Sequence, residues 1–301
     1  MKKRSSGTIT LLALSLWTLF SGCESSLDLP VDNFSKLTII SHLATGSWEK
    51  QRVYVHASLS PSDSSQFYTP AGLEVDVIEK ETDIIIRLDS IRKGNEVYFD
   101  FPSGFLKAGN SYSISASAPG FETVRAETVI PEPSTISNLA INDLDIQPSE
   151  KNEFKEIIRY KVVFNINHVG SNRYYHLVFY NKYSGFAGLL MVDPELSDDQ
   201  LYLKHYAYGL LLDKDDLKNP DQPLSFNFVD WIVEDDALER VYVELRSITE
   251  EYYRYHSTLA RQLLAREDPF AEPVSIYNNI EGGYGNFSGF SPGVYSSDLP
   301  K

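Results

Sequence analysis

Ile158-Arg159-Tyr160-Lys161-Val162-Val163-Phe164-Asn165-Ile166-Asn167 decides the fold class, because its even positions are all apolar and its odd ones mostly polar. A period of two belongs to a half-buried strand, whose successive side chains point to opposite faces. Downstream, further strands are expected at 174–180, 202–211, 226–233 and 240–246, with 213–223 a polar, proline-bearing loop. Upstream, Pro131 and Pro133 flank Glu132 and mark a domain boundary, since prolines at that spacing stiffen the chain and stop a strand.

Before that boundary, short strand-like runs follow one another at 37–42, 52–58, 73–79, 84–88, 96–101, 111–116 and 123–129. Val53, Val55 and Ala57 alternate with Tyr54, His56 and Ser58, and Gly109-Asn110 and Pro119-Gly120 mark turns. Seven strands in about 95 residues predict an immunoglobulin-like β-sandwich over 36–131, without a disulfide. The second β-rich domain, 134–301, carries the one clear helix, at about 248–266. Ser247 and Glu250 fit a capping box, and Tyr252, Tyr255, Leu259 and Leu263 recur at helical spacing as a stripe expected to pack on the sheet. Asp268-Pro269 should end it. The expected class is therefore mainly β, with a sandwich first and a single helix near the C-terminus.

The first 22 residues have the layout of a secretory signal: Lys2, Lys3 and Arg4, an apolar run over 9–20, then small residues. That run falls short of the roughly 20 apolar residues that span a bilayer. Cys23 follows, the only cysteine of the chain, and the segment resembles a bacterial lipobox, in which that cysteine is lipid-modified. Cys23 is read as a lipid anchor and 23–35 as a tether, carrying Glu24, Asp28 and Asp32. Removing the three basic residues of the signal takes the formal charge from −15 to −18. An acidic body disfavours nucleic acid, whose affinity rests on cationic side chains. It leaves membrane attachment to the lipid.

Little points to chemistry. The six histidines, His42, His56, His168, His176, His205 and His256, stand singly, with no paired metal-ligand spacing. Asp213, Asp215 and Asp216 lack the glycine and terminal glutamate of a calcium loop. Gly289-Phe290-Ser291-Pro292-Gly293 has the letters of a nucleophile elbow, but no histidine follows it and Pro292 opposes a helix there. No spacing selects an acid pair for glycoside hydrolysis. No cofactor, metal or catalytic residue is expected.

Asp268-Pro269-Phe270-Ala271-Glu272-Pro273-Val274 and Asn279-Ile280-Glu281-Gly282-Gly283-Tyr284-Gly285-Asn286-Phe287 resemble the C-terminal signature of a Bacteroidota lipoprotein family classed as domain of unknown function 4249. Leu27-Asp28-Leu29-Pro30 after the lipobox fits as well, although Tyr284 and Asn286 stand where smaller or apolar residues are common. The resemblance implies an outer-membrane lipoprotein, surface exposure being favoured over the periplasmic face, that accompanies a TonB-dependent receptor and carries no catalytic residues. Gly282, Gly283 and Gly285 suit a glycine-rich C-terminal loop with positive backbone angles or close backbone approach, and Asn279 suits a cap or cross-link through its amide. Those four, with Trp48 and Trp231, are the candidate ligand or partner contacts. Two readings of function follow: a non-enzymatic accessory partner of a TonB-dependent receptor in nutrient uptake, or a free-standing surface lipoprotein that binds glycans or peptides on aromatic platforms.

Overall fold

The alternating stretch forms a strand, and sixteen others accompany it in the computed structural model, which describes residues 35–46, 51–59, 68–94, 96–151, 153–197, 200, 204–206, 209–233, 236–266 and 270–300. In chain order they are β1 (Leu37–Ala44), β2 (Arg52–Ala57), β3 (Glu74–Glu79), β4 (Ile84–Arg87), β5 (Ser90–Lys93), β6 (Glu96–Asp100), β7 (Ser111–Ser117) and β8 (Val124–Val129). Then come β9 (Thr135–Pro148), β10 (Glu156–Asn167), β11 (Tyr174–Tyr183), β12 (Leu190–Val192), β13 (Lys204–Tyr206), β14 (Gly209–Asp213), β15 (Leu224–Ile232), β16 (Leu238–Ile248), the helix α1 (Glu250–Ala265) and β17 (Tyr284–Asp298). The class is mainly β, sandwich-like, with one C-terminal α-helix among the described residues.

One ten-stranded sheet runs β13-β14-β11-β16-β17-β1-β2-β6-β5, with β12 on β11. Two smaller sheets, β4-β3-β7-β8 and β15-β10-β9, complete the fold. Register shows how they stack. In β17, Phe287 is opposite Ser41, Phe290 is opposite both Ala44 and Ile248, and Gly293 is opposite Leu245. Alternation therefore puts Ile39, Leu43, Phe287, Val243 and Leu245 on one face, and Ala44, Ile248 and Phe290 on the other. On the first face two cores lie side by side. Leu37, Ile39, Val53 and Phe287 pack against Val75, Tyr112 and Ile114 of one small sheet; Leu177, Phe179, Val243 and Leu245 pack against Val162, Phe164 and Phe226 of the other. The helix covers the opposite face, where Tyr252 and Tyr253 meet Ala44, Leu211, Ile248 and Phe290. Ile130 closes the first core and Ile136 opens the second, so the cores part at the two prolines while one sheet runs beneath both.

Three features depart from the sequence expectations. From Tyr284 onward the glycine-rich tail is not a loop but a 15-residue strand, parallel to β1 and antiparallel to β16. Its glycines hid the alternation because they mark places where other backbones come close. A Cβ on Gly285 would stand 1.9 Å from the Ile39 carbonyl oxygen, and one on Gly289 2.0 Å from that of Val129. Residues 135–148 form β9, whose register slips twice against β10, beside Asn138 and Asp143 with positive φ; bulges of this kind erase a period of two. The helix is capped by Thr249, whose hydroxyl accepts from Tyr252 N, and not by Ser247, which lies in β16 and accepts from Ser134 N at 2.9 Å. Its buried face is Tyr252, Tyr253, His256 and Ser257, whereas Leu263 is exposed.

The second core contains polar atoms. Asp230, on β15, accepts hydrogen bonds from Tyr160 Oη at 2.9 Å and Asn181 Nδ2 at 2.5 Å, and burial pushes its carboxyl upward. A buried carboxylate that takes donors from two other strands in this way fixes how β10, β11 and β15 meet.

Replacing Gly285, which has φ +119°, by alanine should cost roughly 3 kcal/mol or more, through strain and displacement of β1. Gly46→Ala, at φ +63° with open space around it, should cost about 1 kcal/mol. Equal losses in chemical denaturation would show that β17 is not pressed against β1 as described.

Candidate functional site

Cys23 and Trp48 lie outside the described residues. The remaining candidates fall into two places. Asn279, Gly282, Gly283 and Gly285 surround the point where β17 enters the sheet. The Asn279 amide donates to the Phe287 carbonyl at 2.7 Å and accepts from Phe287 N at 3.0 Å. It thereby imitates one rung of a strand pair. Gly282 takes φ +76° and lies over the Thr123 carbonyl; a Cβ on Gly283 would meet the Leu37 oxygen at 2.3 Å. These glycines serve close backbone approach, and the Asn279 amide is spent on the fold. Asn279 also lines a cleft of about 360 Å3 with Ser113, Ser115, Arg125, Glu127 and Glu281. Trp231 stands apart on β15, 38% exposed, with Lys151 Nζ 4.2 Å above its ring and Phe154 at 5.3 Å.

The structure gathers what the sequence scatters. His42 of β1, His176 of β11 and His256 of α1 converge between the helix and the sheet. His42 and His256 have ring centroids 4.8 Å apart, Tyr252 is 5.2 Å from His42 and 4.1 Å from His256, and His176 Nδ1 is 3.1 Å from Tyr252 Oη. Tyr255 joins them 5.9 Å from His42. Beside this layer Arg246 donates to Glu244 through Nε at 2.7 Å and Nη2 at 3.1 Å, and Tyr180 Oη donates to the same carboxylate at 3.0 Å. Each histidine sits where its element turns inward: His42 alternates with Leu43, His176 with Leu177, and His256 lies one turn after Tyr252. Only the Tyr252/His256 spacing of four is visible locally; the convergence depends on sheet order.

Charge is expensive in this layer. Burial first, and the Arg246 guanidinium second, hold the His42 imidazole at about 4. His256 is pushed well below its ordinary value by burial, with His42, His176 and Arg246 adding to the effect. Ser288 Oγ is 2.7 Å from His42 Nδ1, within reach for a nucleophile and base. Ser288 is buried and His42 half-buried, however, and so weak a base is poorly matched to proton abstraction near neutrality. The pair reads as a link between β1 and β17 across their parallel register.

The other chemical motifs are also absorbed by the fold. Ser291 is buried and its hydroxyl donates to the Pro131 carbonyl at 2.5 Å, tying β17 to the link between the cores. Asp213 accepts from Arg173 at 2.8 and 2.6 Å and caps a short 3-10 turn. Among the described residues no group of three or more His, Cys, Asp or Glu is placed to hold a metal ion. No helix among them is long and apolar enough to cross a membrane.

Fold and site together define a mainly β protein whose polar interior is built for cohesion. The chain belongs to the family described as Domain of unknown function (DUF4249), whose model matches residues 24–296. No curated protein matches it in sequence.

The histidine layer has a consequence for acid. A histidine whose folded pKa is lowered contributes stability that is full above its unfolded value, near 6.5, and is lost as pH falls towards the folded value. For His42, between 6.5 and about 4, the loss should reach roughly 3 kcal/mol. Arg246 opposes its protonation, and the neighbouring Glu244 is already held by Arg246 and Tyr180. Urea denaturation should therefore show falling stability from pH 6.5 to 4.5, and His42→Gln should flatten that slope. An unchanged slope in the variant would place the acid sensitivity elsewhere.

Proposed function

We propose that the protein is a lipid-anchored, non-enzymatic accessory partner of a TonB-dependent outer-membrane receptor in nutrient uptake, as expected of a Bacteroidota lipoprotein. The observation that carries the reading is the position of the family match, which begins at residue 24, directly after the lipobox cysteine. The whole folded body thus follows the anchor, and two or more acyl chains give a durable hold on the membrane. The buried histidine layer and the occupied Asn279 amide favour cohesion over catalysis. Exposed apolar side chains favour contact with another macromolecule: Phe186, Leu189, Leu190, Met191 and Val294 are all 38–44% exposed, and Leu189 and Val294 share a small cavity of about 170 Å3 with Tyr180 and Glu244. The alternative, a free-standing glycan or peptide binder, would use Trp231; the Lys151 contact on its ring makes it the less favoured platform.

Capture of the natively lipidated protein from its own outer membrane in mild detergent should return a TonB-dependent receptor in near-equal amount. Cys23→Ala should release the body from the membrane fraction. Return of the protein alone would remove the partner reading and move ligand screening of Trp231 variants to the front.

A further inference from the structure

Residues 84–93 cross from one sheet of the N-terminal sandwich to the other and leave both with an open edge at the same place. β4 pairs only with β3, and β5 only with β6, among the described residues. Leu88 N donates to the Val75 carbonyl at 2.9 Å. By antiparallel alternation Ile84, Ile86 and Leu88 then turn their backbone groups towards β3, and Ile85 and Arg87 present N–H and C=O outward. The side chains are equally open: Ile84 is 48%, Ile85 65% and Ile91 36% exposed, and β5 is exposed along its whole length. An unpaired ladder beside apolar side chains is a template for another strand.

The charges on this edge restrict what can pair with it. The eight residues of β4 and β5 include Arg87, Arg92 and Lys93 and no acid, on a chain with 42 acidic and 27 basic residues; Asp89 lies in the link between them. Arg87 is held by Asp76 at 2.8 and 2.9 Å and by Glu74 at 3.1 Å. No ion pair among the described residues engages Arg92 or Lys93. A second copy of the same edge would bring like charges together. An acidic strand would be repelled by most of this protein's surface and attracted here.

We propose that this edge receives an extended segment of a partner polypeptide in which apolar residues alternate with acidic ones, added as a further strand to β4. Alternation assigns the rows: one row of side chains lies on the outer face beside Ile85 and Ile78, and the other points towards β5, where Arg92, on the same face as its partner Val97, meets the carboxylates and Lys93 adds positive charge from the opposite face. The backbone ladder supplies affinity, and Arg92, with the added positive charge of Lys93, selects the sequence. The inference does not rest on the receptor reading, because any partner presenting such a segment satisfies it.

The test uses the full lipidated chain in detergent and a fluorescein-labelled octapeptide alternating valine and glutamate, followed by fluorescence polarisation. Saturable binding is expected, weakened roughly tenfold or more by Arg92→Glu with Lys93→Glu. A peptide N-methylated at every second amide should lose binding to a similar degree, because its ladder is blocked. Both substitutions are on exposed side chains, so the thermal midpoint should stay unchanged. Absence of saturable binding would overturn the proposal. So would equal affinity for a valine–lysine peptide, for the N-methylated peptide, or of the charge-reversed variant for the original.

Discussion

The structure depends on the insertion of the last strand between the first strand and β16. β17 is parallel to β1 over seven residue pairs, from Thr38 with Tyr284 to Ala44 with Phe290, and antiparallel to β16 over nine. Parallel neighbours cannot be joined by a short turn; here the whole chain lies between them. Until Tyr284–Asp298 docks, the sheet beneath the first core and the sheet beneath the second share no strand. The glycines at 285 and 289 are the steric condition for this insertion, because neighbouring carbonyl oxygens stand within about 2 Å of where a Cβ would be. A strand placed this way makes folding non-local, since loop closure must precede its contacts.

The helix side follows from the same insertion. β17 brings Ser288 to His42 and Phe290 to Ile248, so the floor on which α1 lies is assembled from both ends of the chain. Only then do His42, His176 and His256 meet. His42, His176 and His256 with Tyr252, Tyr253, Ile248 and Phe290 fill the space between helix and sheet, and the ion pair Arg246–Glu244 lies beside them. Breaking one partner of such a pair leaves a buried charge, which costs far more than the pair itself contributes. The layer is thus better suited to specifying one position of the helix than to adding raw stability.

How much of this was legible in the sequence varies with the kind of constraint. Strands with one buried face, such as 52–57 and 156–167, show their alternation because a core lies on one side and solvent on the other. The β17 strand was not legible, because Gly285, Gly289, Pro292 and Gly293 answer to the backbones and side chains around them and not to a face of the sheet. β9 was hidden by its bulges, and β5, with four exposed residues, has no buried face to reveal it. The helix was legible in existence and extent. Its cap and inner face were misplaced because β16 runs on through Ser247, and the helix crosses a floor that meets Tyr253 as well as Tyr252. Asn279 and the glycines were singled out for their composition, and their actual work, imitating a strand rung and admitting close carbonyls, required the register of β1 against β17. The histidine layer had no linear signature beyond Tyr252 and His256.

Placement of β1 bears on how firmly the N-terminal end of the fold is held. A terminal strand is commonly a weak point, since ends fray unless they are paired. Here β1 lies between β2 and β17, so each of its sides is hydrogen-bonded. Because both sides of β1 are paired, both ladders must give way together before the strand can leave. The side chains resist in the same direction: Leu37, Ile39 and Leu43 are fully buried in the first core, and His42 and Ala44 lie under the helix. An edge strand would peel one hydrogen bond at a time. By capturing the first strand with the last, the fold supports β1 on both sides and leaves its open edges, β4 and β5, at the far side of the sandwich from that joint.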